Sequence, residues 1–108
     1  MLIVVEVMSE GAERPPAESP VLVQVIDATY ADAPGRLVAE ATGRVLSDGG
    51  GTLYTVEIEA ELQGSNDYRV RAHVDVDGDG AVSPGDFVSM AAFPAREHEP
   101  VRVVVRKV

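Results

Sequence analysis

The sequence contains no cysteine and no tryptophan, and only 5% of its 108 residues are aromatic. Without cysteine the chain has no disulfide framework, no thiol nucleophile and no thiolate zinc site. The scarcity of aromatic side chains argues against a sugar-stacking platform or a base-stacking sheet. No apolar run approaches the ~18 residues needed to cross a bilayer, so we expect no membrane span in this chain.

Basic residues are also few, with nine against 18 acidic ones, for a net charge of −9. Such a charge repels phosphate groups, so we do not expect a nucleic acid partner; it favours cations or a basic partner. The N-terminal stretch up to Met8 lacks a positively charged segment and is interrupted by Glu6, so it does not resemble a leader. From the residues alone, a cytoplasmic location and export with a leader outside this sequence both stay open.

Apolar and polar residues alternate with a period of two along much of the chain, which is typical of half-buried strands. The clearest cases are Leu53–Leu62 and Tyr68–Val76. The other predicted strands are Leu2–Met8, Val21–Asp27, Leu37–Val45, Phe87–Phe93 and Val101–Lys107. The length suits one domain, so about seven strands with turn signals between them predict an all-β fold. We expect a single antiparallel β-sandwich over residues 1–108, of the immunoglobulin or transthyretin kind.

The two clearest strands are also expected to form a hairpin. Both apolar sets must face the core, which requires a loop with an odd number of residues, most simply Gly64–Asn66. Opposite charges would then lie across the strand pair and stabilise it. The predicted pairs are Glu61 with Arg69, Glu59 with Arg71, and Glu57 with His73.

One segment carries a pattern with chemistry of its own, a twelve-residue stretch from Asp75 to Asp86 that fits the calcium-loop motif. Acidic side chains at loop positions one, three, five and twelve converge on one centre. Gly80 at position six permits the sharp bend around the ion. An all-oxygen shell suits Ca²⁺ better than Zn²⁺. The predicted ligands are Asp75, Asp77, Asp79, the Ala81 carbonyl, Ser83 and Asp86.

The flanks of this loop are predicted strands, and Pro84-Gly85 would interrupt an exiting helix, so the motif is not part of an EF-hand. The loop resembles that of dockerin modules, in which Asp also stands last. The alternative is a tight turn between strands, since Asp-Gly is a favoured hairpin pair. A turn needs one such pair, however, and four converging carboxylates repel one another without a cation.

Candidate catalytic groups are weaker. His73 lies on a polar strand face, and the serines at positions 65, 83 and 89 lack the context of a nucleophile elbow. Gly49–Gly51 lacks the Lys-Ser/Thr that completes a phosphate-binding loop. We therefore expect the protein not to be an enzyme.

A strand followed by Asp-x-Thr-x-Ala-Asp-Ala-Pro resembles the bacterial YbaY/YscW lipoprotein family, whose type III secretion members act as secretin chaperones, or pilotins. The matching residues are Asp27, Thr29, Ala31, Asp32, Ala33 and Pro34. The segments Tyr68–Val74 and Phe93-Pro94 with Val101–Val105 match later strands of that family less specifically. The resemblance implies a small β-sandwich without catalytic residues, facing the periplasm or the cell surface.

Two functional hypotheses follow from these observations. The first is a non-catalytic calcium-binding β-sandwich module with a structural or protein-binding role. The alternative is a pilotin-like periplasmic chaperone for a secretin or another outer-membrane or secreted protein. Such a partner would be bound as a protein segment at a sheet edge or in an apolar groove.

Overall fold

A computed structural model of the chain describes residues 2–10, 13–29, 35–46, 51–62, 66–89, 93–95 and 99–108. Alternating sequences form its strands, as expected for segments that bury one face. The strands are β1 (Leu2–Ser9), β2 (Pro20–Asp27), β3 (Arg36–Arg44), β4 (Thr52–Glu59), β5 (Tyr68–Val74), β6 (Phe87–Ser89), β7 (Phe93–Pro94) and β8 (Val101–Lys107). No helix long and apolar enough to cross a membrane occurs in the described ranges.

The strands form one sheet in the order β3-β2-β5-β6-β8-β1-β4, and β7 pairs with β5 beside this path. The predicted all-β fold is confirmed. Of the predicted Phe87–Phe93 strand, the structure shows β6 at its beginning and the first residue of β7 at its end, and residues 90–92 lie outside the described residues. The pairing is not purely antiparallel, because β1 and β8 run parallel, with Val5 opposite Val101 and Val7 opposite Val103.

The predicted hairpin between the two clearest strands is wrong. β4 pairs with β1, placing Ile58 opposite Ile3, and β5 pairs with β2, placing Ala72 opposite Val23. The expected charge pairs of this hairpin therefore do not form, and the three basic side chains find other partners. Arg69 pairs with Asp67, Arg71 donates to Gln24, and His73 contacts Asp86.

The core consists of the inward side chains of the curled sheet, and most of them are valine. β-branched residues at every second position suit a strand with one buried face. The fully buried members from β1, β2, β5 and β8 are Ile3, Val5, Val7, Val21, Val23, Val25, Val70, Val74, Val103 and Val105.

The two strands at the ends of the sheet order, β3 and β4, approach each other where the chain passes from one to the other. The Leu46 N–H donates to the Leu53 carbonyl at 2.8 Å. The Tyr54 hydroxyl donates to the Thr42 carbonyl at 3.2 Å, and its ring lies directly over Gly43. Because glycine has no Cβ, the ring can cover β3 at this point, and β3 and β4 are in contact here.

Replacing Gly43 with alanine should destabilise the fold by about 1–3 kcal/mol, the usual cost of overpacking. A Cβ at this position would overlap the Tyr54 ring, which must then leave its place over β3. Thermal unfolding measures the effect. Gly51→Ala is the matched control, because a Cβ there meets nothing within 4 Å. Equal melting temperatures for the two variants would contradict this account of the contact.

Candidate functional site

The predicted calcium loop connects β5 to β6, and the strand pairing itself brings its two ends together. β5 and β6 are antiparallel, with Val74 opposite Phe87, so Asp75 and Asp86 are the next facing positions. The ligand oxygens of the four acidic residues all lie within 4.8 Å of one another. The spacing in the sequence therefore predicted the convergence correctly. The four residues are Asp75, Asp77, Asp79 and Asp86.

Backbone N–H groups of the loop hold these carboxylates in place. Asp75 accepts from Gly78 at 3.1 Å and from Gly80 at 2.7 Å, and Asp79 accepts from Ala81 at 2.9 Å. Gly80 has a φ of 80°, in the left-handed region that favours glycine. The loop thus takes the bend that was predicted at position six.

Asp86 is the buried member of the cluster, with no exposed surface. One of its oxygens accepts the Val76 N–H at 2.9 Å. The other accepts the Ser83 N–H at 3.3 Å and lies 2.9 Å from His73 Nε2. These contacts use three of the roughly four lone-pair positions of a carboxylate, which leaves room for about one bond to a cation.

The four carboxylates do not share one electrostatic environment. Burial raises the pKa of Asp75, and the neighbouring carboxyl of Asp77 adds to the rise. The pKa of Asp77 is instead lowered, first by the hydrogen bond from the Ser83 hydroxyl. Burial opposes ionisation of Asp86, but hydrogen bonds led by His73 outweigh it and hold the pKa of Asp86 below its usual value. The cluster therefore concentrates negative charge around Asp75, which is 9% exposed.

The two remaining predicted ligands also belong to this loop. The Ser83 hydroxyl donates to Asp77 at 2.8 Å, so its oxygen lies beside the carboxylate cluster. Ala81 contributes its N–H to Asp79, and its carbonyl stays a predicted ligand. The whole predicted set stays a prediction, as does the identity of the ion.

A second feature is a cleft between the beginning of β3 and residues 61–62, which follow the end of β4. We call it the β3–β4 cleft, and its volume is about 430 Å³. Leu37, at the beginning of β3, is 48% exposed, so the lining includes an accessible apolar side chain. The cleft is lined by Leu37, Val38, Leu62 and Tyr68 together with Asp27, Arg36, Glu61 and Asn66.

Asp27 is the first residue of the segment that resembles the YbaY/YscW family, and its hydrogen bonds hold the chain in place at this cleft. Its carboxylate accepts the N–H and the hydroxyl of Thr29, and the Asn66 side chain at 3.0 Å. The Thr29 hydroxyl in turn accepts the Asp67 N–H at 2.9 Å. The hydrogen bonds from Thr29 lower the pKa of Asp27. The other members of the segment, residues 31–34, lie outside the described residues.

Two features of these sites were not predicted from the sequence: the contact that His73 makes, and the β3–β4 cleft. His73 was assigned to Glu57, but it lies 2.9 Å from Asp86, because β5 faces β6 and not β4. The β3–β4 cleft was not predicted either. The signal for it was weak: Leu37 and Leu62 stand at the ends of predicted strands, where an apolar residue has no special meaning without the topology.

No protein-family model matches the chain, and no curated protein matches it. Among solved structures, the chain is similar to an alternative pilotin from the type II secretion system of Vibrio cholerae. The sequence identity is 20%, the TM-score is 0.72, and the match covers 97% of this chain and 96% of that chain. The chain is therefore pilotin-like in fold. The narrower resemblance to the YbaY/YscW family stays a prediction.

Proposed function

We propose that this protein is a pilotin-like chaperone that binds a segment of a secretin, or of another outer-membrane or secreted protein. The observation that carries the proposal is the similarity to the Vibrio cholerae pilotin over nearly the whole of both chains. A fold alone does not specify a function. The proposal therefore also rests on a surface suited to a protein segment, the β3–β4 cleft, with its exposed Leu37.

In this proposal the protein works in the periplasm at the outer membrane, and it is not catalytic. The contacts of the Ser83 and Ser89 hydroxyls support a role without a nucleophile. The Ser83 hydroxyl donates to Asp77, and the Ser89 hydroxyl accepts the Ala72 N–H. His73 itself is tied to Asp86 through Nε2. These contacts fit a polar network that holds a loop in place.

Titration calorimetry tests the proposal with the secretin of the same organism and the whole chain. We expect saturable one-to-one binding with a Kd of roughly micromolar or tighter, which corresponds to about 8 kcal/mol. Overlapping peptides of the secretin then locate the bound segment. An absence of binding at protein concentrations well above that range, by a chain shown to be folded, would contradict the proposal.

We propose as a second function that the Asp75–Asp86 loop binds Ca²⁺. The observation in its favour is the convergence of four acidic side chains within 4.8 Å, in a loop with a φ of 80° at Gly80. Calcium would offset the cost of burying the charged Asp75 and the repulsion from its neighbouring carboxyls. Its role would be structural, since the loop joins two strands next to the core.

A further inference from the structure

We infer that the β3–β4 cleft binds an extended segment of the partner, in which apolar and basic side chains alternate, as an additional strand between β3 and β4. This inference rests on the proposed chaperone function and names the chemistry of its partner. It begins from the sheet edges. In the described part of the chain, β3 pairs only with β2, and β4 pairs only with β1. Each of the two strands therefore has one edge without a neighbouring strand among the described residues.

The two edges meet at one end only. The hydrogen bond from Leu46 to Leu53 and the Tyr54 contact hold that end together. At the other end, a cleft of about 430 Å³ lies between the beginning of β3 and Glu61 and Leu62, which follow β4. An inserted strand can hydrogen-bond to the backbone at a sheet edge, which is the mode of strand addition. Its length would be roughly five or six residues, the usual length of a strand.

The lining defines one face of the segment. Val38 and Leu62 line the cleft and pack against the core. Leu37, which is 48% exposed, adds a further apolar side chain to the lining. Successive side chains of a strand point to opposite faces, so every second residue of the guest would meet this apolar surface. Valine, isoleucine or leucine at these positions would bury it.

Charge defines the other face. Glu57 and Glu59 in β4, and Glu61 just after it, alternate with half-buried or buried residues, and all three are exposed. A strand lying beside β4 would place its outward side chains next to this acidic row. Lysine or arginine there would form favourable cross-strand pairs. A second copy of this chain would instead present another acidic row, in a molecule with a net charge of −9.

Hydrogen–deuterium exchange with a defined probe tests the inference. The probe is a short peptide of alternating valine and lysine, and the control peptide alternates valine and glutamate. We expect the lysine peptide to slow amide exchange in β3 and β4, and to bind at least about tenfold more tightly than the glutamate peptide. Equal binding of both peptides, or binding without slower exchange in β3 and β4, would overturn the inference.

Matched variants separate the acidic row from the overall charge. Glu57→Lys with Glu61→Lys should weaken binding of the lysine peptide about tenfold. Glu13→Lys with Glu99→Lys changes the net charge equally, at exposed positions that do not line the cleft, and should leave binding unchanged. Equal effects of both pairs of substitutions would overturn the inference. Amide exchange in β3 and β4 that slows as the protein concentration rises, in the absence of peptide, would also overturn it, because it would indicate binding of a second copy of the chain.

The secretin distinguishes this inference from the proposed function. If the secretin binds and protects β3 and β4 from exchange, both are supported. If it binds and protects another surface, the inference is overturned and the chaperone function stands. If it does not bind, both are overturned.

Discussion

Replacing Asp86 with alanine should destabilise the fold by about 3 kcal/mol or more, because each buried donor left without an acceptor costs about 1–3 kcal/mol. Asp86 has no exposed surface, and it accepts hydrogen bonds from the Val76 and Ser83 backbone. It also lies 2.9 Å from His73 Nε2. Without the carboxylate, these donors lose their acceptor at the point where the loop meets β6. Chemical denaturation in the presence of a chelator measures the loss.

Asp67→Ala is the matched control for this variant. Asp67 pairs with Arg69 at 2.9 Å, but its side chain is 47% exposed, so the pair contributes less than about 1 kcal/mol. If both variants lost the same small amount of stability, the role assigned to the buried carboxylate would be wrong.

The stabilisation by Asp86 should also depend on pH. Its pKa in the folded protein lies below the ordinary value of 3.8, because hydrogen bonds led by His73 outweigh the effect of burial. A lowered folded-state pKa stabilises the fold above the unfolded value, and this contribution is lost as pH falls through the folded value. The difference in unfolding free energy between wild type and Asp86→Asn should therefore have its largest value at neutral pH. It should shrink below about pH 4. A difference that grows on acidification would contradict the assignment.

Calcium should raise the melting temperature substantially if the Asp75–Asp86 loop binds it. At a concentration about 100-fold above the Kd, ligand binding adds ~2.7 kcal/mol, or roughly 10–20 °C for a domain of this size. The physical reason is the relief of repulsion around Asp75, whose pKa is raised by burial and by the neighbouring Asp77. Differential scanning calorimetry with calcium and with a chelator measures the shift.

A variant of one exposed ligand tests whether the shift comes from this loop. Asp79→Asn removes a carboxylate of the cluster, and it should abolish most of the calcium-dependent shift. Asp67→Asn removes an equal charge from outside the cluster and should retain the shift. A melting temperature that is the same in calcium and in chelator would rule out the metal site.

The strands could be predicted from the sequence because alternation is a local signal. The predicted segments Val21–Asp27 and Val101–Lys107 agree with β2 and β8 to within one residue at each end. The partner of a strand is not a local property. The parity argument constrained which face of β4 and β5 is buried, but not which neighbour each strand takes, and both strands pair elsewhere.

The same distinction applies to the candidate sites. The four aspartates of the loop were predicted together because their spacing alone brings them close. The contact between His73 and Asp86 depends on the pairing of β5 with β6, which the spacing does not specify. The β3–β4 cleft depends on the end positions of two strands in the sheet order, so it could not be predicted before the topology was established.

The most direct test of the proposed chaperone function is the distribution of the secretin in the cells that produce this protein. Outer-membrane and inner-membrane fractions are compared between wild-type cells, cells lacking the protein, and cells in which it has been restored. Our account predicts that the secretin is depleted from the outer membrane when the protein is absent, and that restoring the protein reverses the depletion. An unchanged amount of secretin in the outer membrane would contradict the account.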